Sequence, residues 1–471
     1  MKSEVWPRNV TPSGINPFAI VVGVVCVFCL AVSMLAQQTP ALVLFRNVRI
    51  FDGKSSTLSA PSNVLVRGNK IDKISTAAIL VEPGAGTTIV DGGGHVLMPG
   101  LIDAHWHAYM AATPMMLLNS AEPSYLQFLA AHEAEATLMR GFTTVRDLGG
   151  PVFGLKRAID EGVMVGPRIY PSGAMISQTS GHGDFRFDFE VPRTPGGPLS
   201  HAESEGIAAI ADSPDEVRLR AREQLRSGAS QIKVMAGGGV SSANNPIESV
   251  QFTEPEIRAA VEAAENWGTY VTVHAYTPAA IRQAIAAGVK CLDHGQLIDE
   301  PTAKLLADKG IWWSLQPLLD DEDMRDMSPE SRKKAEVVFA GTDNAYKLAI
   351  KYKIKTVFGS DVLFDAKLAN RQGAQLVKLL RWFTPAGALK TATANSGELL
   401  ALSGFSNPYP GKLGVVEEGA LADLLLVDGN PLENFKLIED PGKNFLVIMK
   451  DGKIFKSAGA ASSTLATASS Q

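Results

Sequence analysis

The sequence contains little cysteine, and this excludes a fold held together by disulfides. Three cysteines occur in 471 residues. Cys26 and Cys29 lie in an N-terminal apolar run and leave Cys291 alone, so the chain has no disulfide framework. Heptad and tandem repeats are absent from the sequence as well. The remaining composition, with 45% hydrophobic residues at this length, provides material for a large core.

The chain also lacks an excess of basic residues. Its 44 lysines and arginines are outnumbered by 49 aspartates and glutamates, which gives a formal net charge of -5. Proteins that bind nucleic acids present a strongly positive surface. We therefore expect no nucleic-acid partner.

One apolar run stands at the N-terminus. Lys2 and Arg8 precede a nearly uncharged stretch, residues 15–36. It is longer than a signal h-region of about 7–15 residues and close to the about 17–25 of a spanning helix. Cleavage after Ala36 is compatible with a signal peptide, although Met34 is imperfect at the -3 position. We expect residues 1–36 to be a signal peptide or membrane anchor of an exported protein, periplasmic or secreted; a buried helix is the alternative.

The most informative motif is His105-Trp106-His107, which ends the apolar run 96–104. Side chains two positions apart point to the same side of a strand, so the two imidazoles converge. Two neutral imidazoles suit a divalent metal such as zinc. A solvated strand with two histidines is the alternative.

Four further strand-like runs each carry a candidate ligand. These are Lys233 in 230–235, His274 in 270–274, His294 in 289–295 and Asp361 in 356–361. Helix-like stretches separate them, including 254–267, which opens with a capping-box pattern at Thr253 and Glu256. This alternation over about 300 residues predicts an α/β fold, a (β/α)8 TIM barrel at residues 99–407. A doubly wound open sheet would not easily bring five strand ends to one point.

Short strands and turns occupy both flanks of the predicted barrel. Neither residues 37–98 nor residues 408–456 contain enough strands to bury a core alone. We expect them to combine into one small β-sandwich; two separate hairpins packed on the barrel are the alternative. The tail 457–471, rich in Ala, Ser and Thr, is expected to be disordered.

Together these motifs resemble the metal-dependent amidohydrolase superfamily. The resemblance is carried by the ordered motifs 99–107, 143–147, 181–184, the strand of Lys233, 273–275, 293–295 and 359–361, and covers about residues 42–453. The branch it favours contains imidazolonepropionase-like proteins and Xaa-Pro dipeptidase-like carboxypeptidases, including enzymes that cleave the amide of ochratoxin A.

The resemblance implies two divalent metal ions, with zinc expected. His105, His107 and Asp361 would hold one, and His274 and His294 the other. Lys233, as a carbamate formed with carbon dioxide, would bridge them. A lysine paired with an internal acid is the alternative. Superfamily deaminases place a glutamate shortly after the histidine equivalent to His274, whereas Ala275 to Pro278 include no acid.

The same resemblance assigns roles in catalysis. A metal-bridging hydroxide would attack the scissile carbonyl, and Asp361 would pass its proton to the leaving amine; Asp361 as a ligand only is the alternative. His182 lies in a glycine-flanked loop and is a candidate for substrate contact or charge stabilisation, against loop packing. Tyr276 is a candidate for contact with a substrate carboxylate or carbonyl, against packing.

The substrate is less well defined by the sequence. We expect amide hydrolysis that releases a C-terminal amino acid from a dipeptide, an N-acyl amino acid or an ochratoxin-like phenylalanine amide. A cyclic amide (imidazolone-like) or lactone hydrolase is the alternative within enzymes. A catalytically silent binding protein is the alternative outside them, although no ligand is missing. The family also implies a homo-oligomer.

Overall fold

The structure is a computed structural model that describes residues 40–82, 84, 86–242, 245–324, 327–458 and 461–462. The predicted targeting segment, residues 1–36, lies outside the described residues. Among the helices that are described, none is long and apolar enough to span a membrane.

Nineteen strands are defined in the described part of the chain. They are β1 (Leu42–Ile50), β2 (Ser62–Arg67), β3 (Lys70–Ser75), β4 (Thr87–Asp91), β5 (Val96–Pro99), β6 (Leu101–Trp106), β7 (Phe142–Asp147), β8 (Arg168–Pro171), β9 (Met175–Ser177), β10 (Ala208–Ile210), β11 (Ile232–Met235), β12 (Val271–Ala275), β13 (Cys291–His294), β14 (Trp312–Ser314), β15 (Thr356–Val357), β16 (Leu424–Val427), β17 (Phe445–Lys450), β18 (Lys453–Ser457) and β19 (Ala461–Ser462).

The α-helices fall mostly between the strands of the central region. They are α1 (Met115–Leu118), α2 (Pro123–Met139), α3 (Phe153–Asp160), α4 (His201–Ser204), α5 (Pro214–Ser227), α6 (Glu254–Asn266), α7 (Pro278–Ala287), α8 (Glu300–Asp308), α9 (Pro329–Lys351), α10 (Ala366–Ala369), α11 (Gln372–Val377), α12 (Pro385–Thr391), α13 (Ala394–Leu400) and α14 (Pro441–Asn444). Short 3-10 helices span Glu322–Met324, Lys378–Arg381, Ala401–Ser406 and Phe435–Ile438.

Local sequence explains the helix boundaries nearest the site. Thr253 and Glu256 form the reciprocal capping box at the start of α6, as predicted. Helix α7 begins with Pro278 and ends at Gly288, which has a left-handed φ of 100°. Glycine adopts this conformation without a steric penalty from a side chain.

The central region contains two parallel sheets rather than one continuous sheet of eight strands. One has the order β6-β7-β8, and the other has the order β10-β9-β11-β12-β13-β14-β15. Backbone hydrogen bonds connect the two sheets at two places, one next to β11 and one next to β15. Ser230 donates to Pro171 over 2.7 Å, and Ala104 donates to Phe358 over 2.8 Å. The fold class is therefore α/β with parallel sheets.

The two ends of this region share a nine-stranded sheet. Its order is β18-β17-β16-β5-β1-β2-β3, with β4 paired to β1 and β19 paired to β4. Strand β16 pairs antiparallel with β5, which brings residues of both flanks into one sheet. Part of the tail predicted to be disordered lies here, because Ser457 ends β18 and 461–462 pair with β4. Residues 463–471 lie outside the described residues.

Gly100 divides the apolar run 96–104 between two sheets. Strand β5 belongs to the nine-stranded sheet, and β6 begins at Leu101 in the parallel one. A Cβ atom at Gly100 would lie 2.0 Å from Thr143 Oγ1 of β7. Any larger residue would therefore separate β6 from β7.

A buried ion-pair cluster connects the nine-stranded sheet to the parallel strands. Arg168 of β8 donates from Nε to Asp423 over 2.8 Å and from Nη2 to Asp451 over 2.7 Å. The side chains of Arg168 and Asp423 are 7% and 3% exposed. Removing one partner of such a pair leaves an uncompensated buried charge.

We expect Arg168→Ala to lower the free energy of unfolding by about 3–5 kcal/mol, because Asp423 would lose its cation while remaining buried. Urea denaturation measures the effect. Arg157→Ala is the control, since Arg157 forms an exposed pair with Glu161 on α3. Equal denaturation midpoints for the two variants would contradict the assignment.

Candidate active site

The structure brings His105, His107 and Asp361 together, as the sequence predicts. Both histidines lie at the carboxyl end of β6, and Asp361 follows β15. Asp361 Oδ1 lies 3.2 Å from His105 Nε2 and 3.4 Å from His107 Nε2. One candidate ligand atom from each residue lies within 4.8 Å of the other two. Such a group can hold a divalent metal ion.

The other two predicted histidine ligands lie beside this group. The ring centroid of His294 is 4.9 Å from that of His105 and 4.3 Å from that of His274. His294 Nδ1 is 3.9 Å from Asp361 Oδ2 and is buried without a hydrogen-bond partner. An unpartnered buried ring nitrogen facing a carboxylate is available to bind a metal ion.

Two of the candidate ligands have strained backbone conformations. His294 has a φ of 76° and Asp361 a φ of 52°. Residues with a Cβ atom seldom occupy this region, and such strain concentrates at functional sites. His294 ends β13 and Asp361 follows β15, so the positive φ occurs where each chain segment leaves its strand beside the shared centre.

Burial favours the neutral form of three imidazoles of the site, those of His105, His274 and His294. Desolvation, reinforced by the nearby Lys233, lowers the pKa of His105 to about 4. Desolvation likewise lowers the pKa of His274 and His294 well below 6.5. Burial alone would raise the pKa of Asp361, but His105, His107 and His294 outweigh it and hold that pKa below its usual value. Neutral imidazoles and an ionised carboxylate are the protonation states required of metal ligands.

Lys233 lies at the floor of the same cluster. Its Nζ is 3.2 Å from Asp293 Oδ2 and 3.5 Å from His105 Nε2, and the residue is 1% exposed. Burial lowers the pKa of Lys233 despite the opposing charge of Asp293. The position fits the predicted bridging role, and the contact with Asp293 also matches the alternative, a lysine paired with an internal acid.

Sequence reasoning assigned no role to Asp293, although it lies beside His294. Its carboxylate accepts hydrogen bonds from Arg146 Nη2 over 2.7 Å and Thr272 Oγ1 over 2.6 Å. Asp293 Oδ1 is also 3.3 Å from His105 Nδ1. Burial opposes its charge, but Lys233, Arg146 and His105 hold the pKa of Asp293 well below its usual value. The signal in the sequence was an acid directly before a candidate ligand in the short strand Cys291–His294.

Asp103 is a second residue that the sequence analysis did not assign. It accepts from the His105 backbone N–H over 3.0 Å and from the Ser360 backbone N–H over 3.1 Å. The Ser360 hydroxyl and Gln372 Nε2 donate to its other oxygen over 2.6 and 2.9 Å. Asp103 thus connects the strand of two ligands to the residue preceding Asp361. An acid two residues before His105 in a buried strand was the available signal.

His182 and Tyr276 lie against the histidine cluster. The ring centroid of His182 is 4.2 Å from that of His274, and that of Tyr276 is 5.0 Å from that of His294. His182 Nδ1 lies 2.8 Å from Ser242 Oγ, and burial lowers the pKa of His182 to about 3. Burial raises the pKa of the Tyr276 hydroxyl. His182 is therefore neutral at physiological pH.

A glycine loop after β11 brings backbone close to these rings. The Gly238 carbonyl oxygen is 3.0 Å from His274 Nε2. A Cβ atom at Gly239 would lie 2.0 Å from the His182 ring. The run 237–239 therefore leaves room for the imidazole of His182.

A cavity of about 990 Å³ is lined by the five histidines, Lys233, Tyr276 and Asp361. Imidazole nitrogens and carboxylate oxygens are the donors that zinc and related divalent ions prefer. The residues present therefore fit a metal centre at the floor of a substrate-sized cavity.

Comparison with known proteins agrees with this geometry. Residues 96–455 match the Amidohydrolase family. Ochratoxinase of Aspergillus niger is 33% identical over 385 residues, which cover 77% of this chain and 76% of the relative. A prolidase complexed with N-methylphosphonate-L-proline has a TM-score of 0.80 at 32% identity, covering 88% of this chain and 100% of the other. A Xaa-Pro dipeptidase with bound methionine has a TM-score of 0.76 at 27% identity, with the same coverage.

The fold and site therefore define a hydrolase of carbon–nitrogen amide bonds, as the sequence predicted. The chain belongs to the amidohydrolase family.

We expect Asp103→Asn to lower metal affinity by about 10- to 100-fold, because an amide cannot accept all four hydrogen bonds that orient His105 and Ser360. Metal retained after dialysis against a chelator, measured by mass spectrometry, gives the effect. Ser360→Ala is the control, because it removes a single hydroxyl donor and should cause a smaller loss. Unchanged retention in Asp103→Asn would show that Asp103 does not position the ligands.

Proposed function

We propose that this protein is a binuclear metal-dependent amidohydrolase that releases a C-terminal amino acid from an amide substrate. The observation that carries the proposal is the convergence of His105, His107, Lys233, His294 and Asp361 on one cavity floor, with His274 beside them. These residues come from five separate strand ends. Their meeting has no structural advantage by itself, because each one buries a polar group.

The chain's residues divide between two metal ions, with zinc proposed for both. His105, His107 and Asp361 would hold the first, and His274 and His294 the second. Bound metal ions would activate the attacking water and polarise the scissile carbonyl. Lys233 would supply the bridging carboxylate: its neutral amine forms an N–C bond with carbon dioxide, loses one proton and becomes a carbamate. Burial, which favours the neutral amine of Lys233, supports this step.

Three side chains act on the substrate. Asp361 accepts the proton of the attacking water and delivers it to the leaving amine, which departs as a neutral amino group. Neutral His182 donates a hydrogen bond to the oxygen that develops negative charge. Tyr276, buried beside His294, contacts the substrate carboxylate with its hydroxyl.

The relatives support this class of substrate. One relative is named ochratoxinase, a second is a prolidase with a bound N-methylphosphonate derivative of L-proline, and a third is a Xaa-Pro dipeptidase with bound methionine. For this chain we propose a dipeptide, an N-acyl amino acid or an ochratoxin-like phenylalanine amide.

We make further proposals about the architecture, the location and the assembly of the protein. We propose that the two parallel sheets form one (β/α)8 barrel, which the hydrogen bonds at both connections support. The nine-stranded sheet would fold as a β-sandwich. The uncharged run 15–36 supports export, with cleavage or retention as an anchor. A homo-oligomer is proposed from the family alone.

The function is tested by release of amino acids. The purified protein, supplied with zinc and bicarbonate, is incubated with dipeptides, N-acyl amino acids and ochratoxin A, and products are followed by mass spectrometry. We expect release of C-terminal residues of one type, and His182→Asn should retain metal while losing at least about 100-fold in turnover, as when one oxyanion donor is removed. Full metal occupancy with no release from any substrate would refute amino acid release and favour the cyclic-amide alternative.

The carbamate is tested by metal content. Lys233→Ala should bind well below two metal ions per chain, because the bridging group is lost, and added propionate should restore part of the content by replacing the missing carboxylate. Elemental analysis after gel filtration measures both. Lys355→Ala, an exposed lysine paired with Glu398, is the control. Two metal ions retained by Lys233→Ala would leave the pairing with Asp293 as the explanation for the buried lysine.

A further inference from the structure

The cavity has one wall that is apolar and rich in methionine. Met110, Met175 and Met235 are buried in a single hydrophobic cluster, with Leu363 and Phe364 packed against it. All five line the cavity, and so does Met115; these six residues form the methionine wall. Methionine is flexible and polarisable, so such a wall adapts to apolar groups of different shapes.

A second apolar group lies in the same cavity and contains Tyr276. It combines Tyr276 and Val338 with the partly buried Val240 and Leu318. Under the proposed function Tyr276 contacts the carboxylate of the leaving amino acid. The methionine wall is then left for the other half of the substrate, the acyl group.

The acidic residues that line the cavity are already engaged or exposed. Asp361 belongs to the metal cluster, and Asp365 accepts from the backbone N–H groups of Lys367 and Leu368 at the start of α10. Asp323 and Glu322 pair with Arg371, and Asp323 also pairs with Lys378. Glu330, the fifth acid in the described lining, is exposed on α9.

This distribution of charge favours candidate substrates whose acyl group carries no positive charge. A dipeptide would place its α-ammonium beside the methionine wall, where Asp365, the acid next to Phe364 in the sequence, already accepts two backbone N–H groups at the start of α10. Burying an unpaired ammonium group is costly, whereas burying a hydrocarbon chain of the same length is favourable.

We propose that the methionine wall is an acyl subsite that selects N-acyl amino acids with an uncharged, apolar acyl group over free dipeptides. The inference rests on the proposed function and specifies its substrate. It requires no residue beyond those that line the cavity.

A matched pair of substrates tests the subsite. One is the N-octanoyl derivative of the amino acid identified by the release assay, and the other is its 2-aminooctanoyl analogue, which differs by one amino group. We expect kcat/KM to be more than about tenfold higher for the octanoyl compound at pH 7. Raising the pH past about 8 should narrow the ratio, because the α-amine then loses its charge.

Equal or faster cleavage of the amino analogue would overturn the subsite and leave the proposed function intact. Cleavage of neither compound, together with no release from the substrate mixture, would overturn both.

Two adjacent methionines of α1 provide a variant and its control. Met115 is partly buried and lines the cavity, whereas Met116 is 72% exposed and does not. Met115→Glu introduces a carboxylate into the wall and should reduce the preference for the octanoyl compound by about tenfold or more. Met116→Glu should leave the ratio unchanged. An unaltered ratio in a folded Met115→Glu protein would contradict the subsite.

Discussion

The floor of the cavity depends on one buried carboxylate. Asp293 is fully buried and accepts hydrogen bonds from Arg146, Lys233 and Thr272. It also lies 3.3 Å from His105 Nδ1. An isolated carboxylate here would be prohibitively costly, and so would the isolated guanidinium of Arg146. Each member of the group thus compensates the burial of the others. The contact with Nδ1 leaves His105 Nε2 directed at Asp361, whose Oδ1 is 3.2 Å away.

The ligands converge because parallel strands present their carboxyl ends at one edge. His274 and His294 lie near the carboxyl ends of the paired strands β12 and β13, and His105 lies near the carboxyl end of β6. Burial raises the free-energy cost of charged groups at this edge. It also lowers the pKa of each of these histidines. Neutral rings can then bind a cation, which in turn balances Asp361. Metal binding and the stability of the apolar interior are therefore coupled at this edge.

Local patterns in the sequence predicted the candidate ligands and the α/β class. His105 lies in β6 and His107 directly after it, and each other candidate lies within or after an apolar run. The supporting residues could not be predicted, because their partners lie far apart in the chain. Gln372 donates to Asp103 across 269 positions, and Arg146 donates to Asp293 across 147. The strand before Asp361 was also predicted to be too long, because β15 stops at Val357. The backbone then turns, and Asp361 adopts a positive φ.

Under the proposed function, selectivity and catalysis would depend on different parts of the fold. The ligands lie on strand ends whose positions are fixed by Asp103, Asp293 and the hydrogen bonds between the sheets. The methionine wall comes from segments outside the strand ladder as well as from β9 and β11, including the segment that follows Asp361. Residues in such connecting segments can change without moving the candidate ligands, because Asp103, Asp293 and the hydrogen bonds between the sheets fix the ligand positions independently of these segments. A cavity floor of this kind can therefore be retained while its walls adapt to different acyl groups.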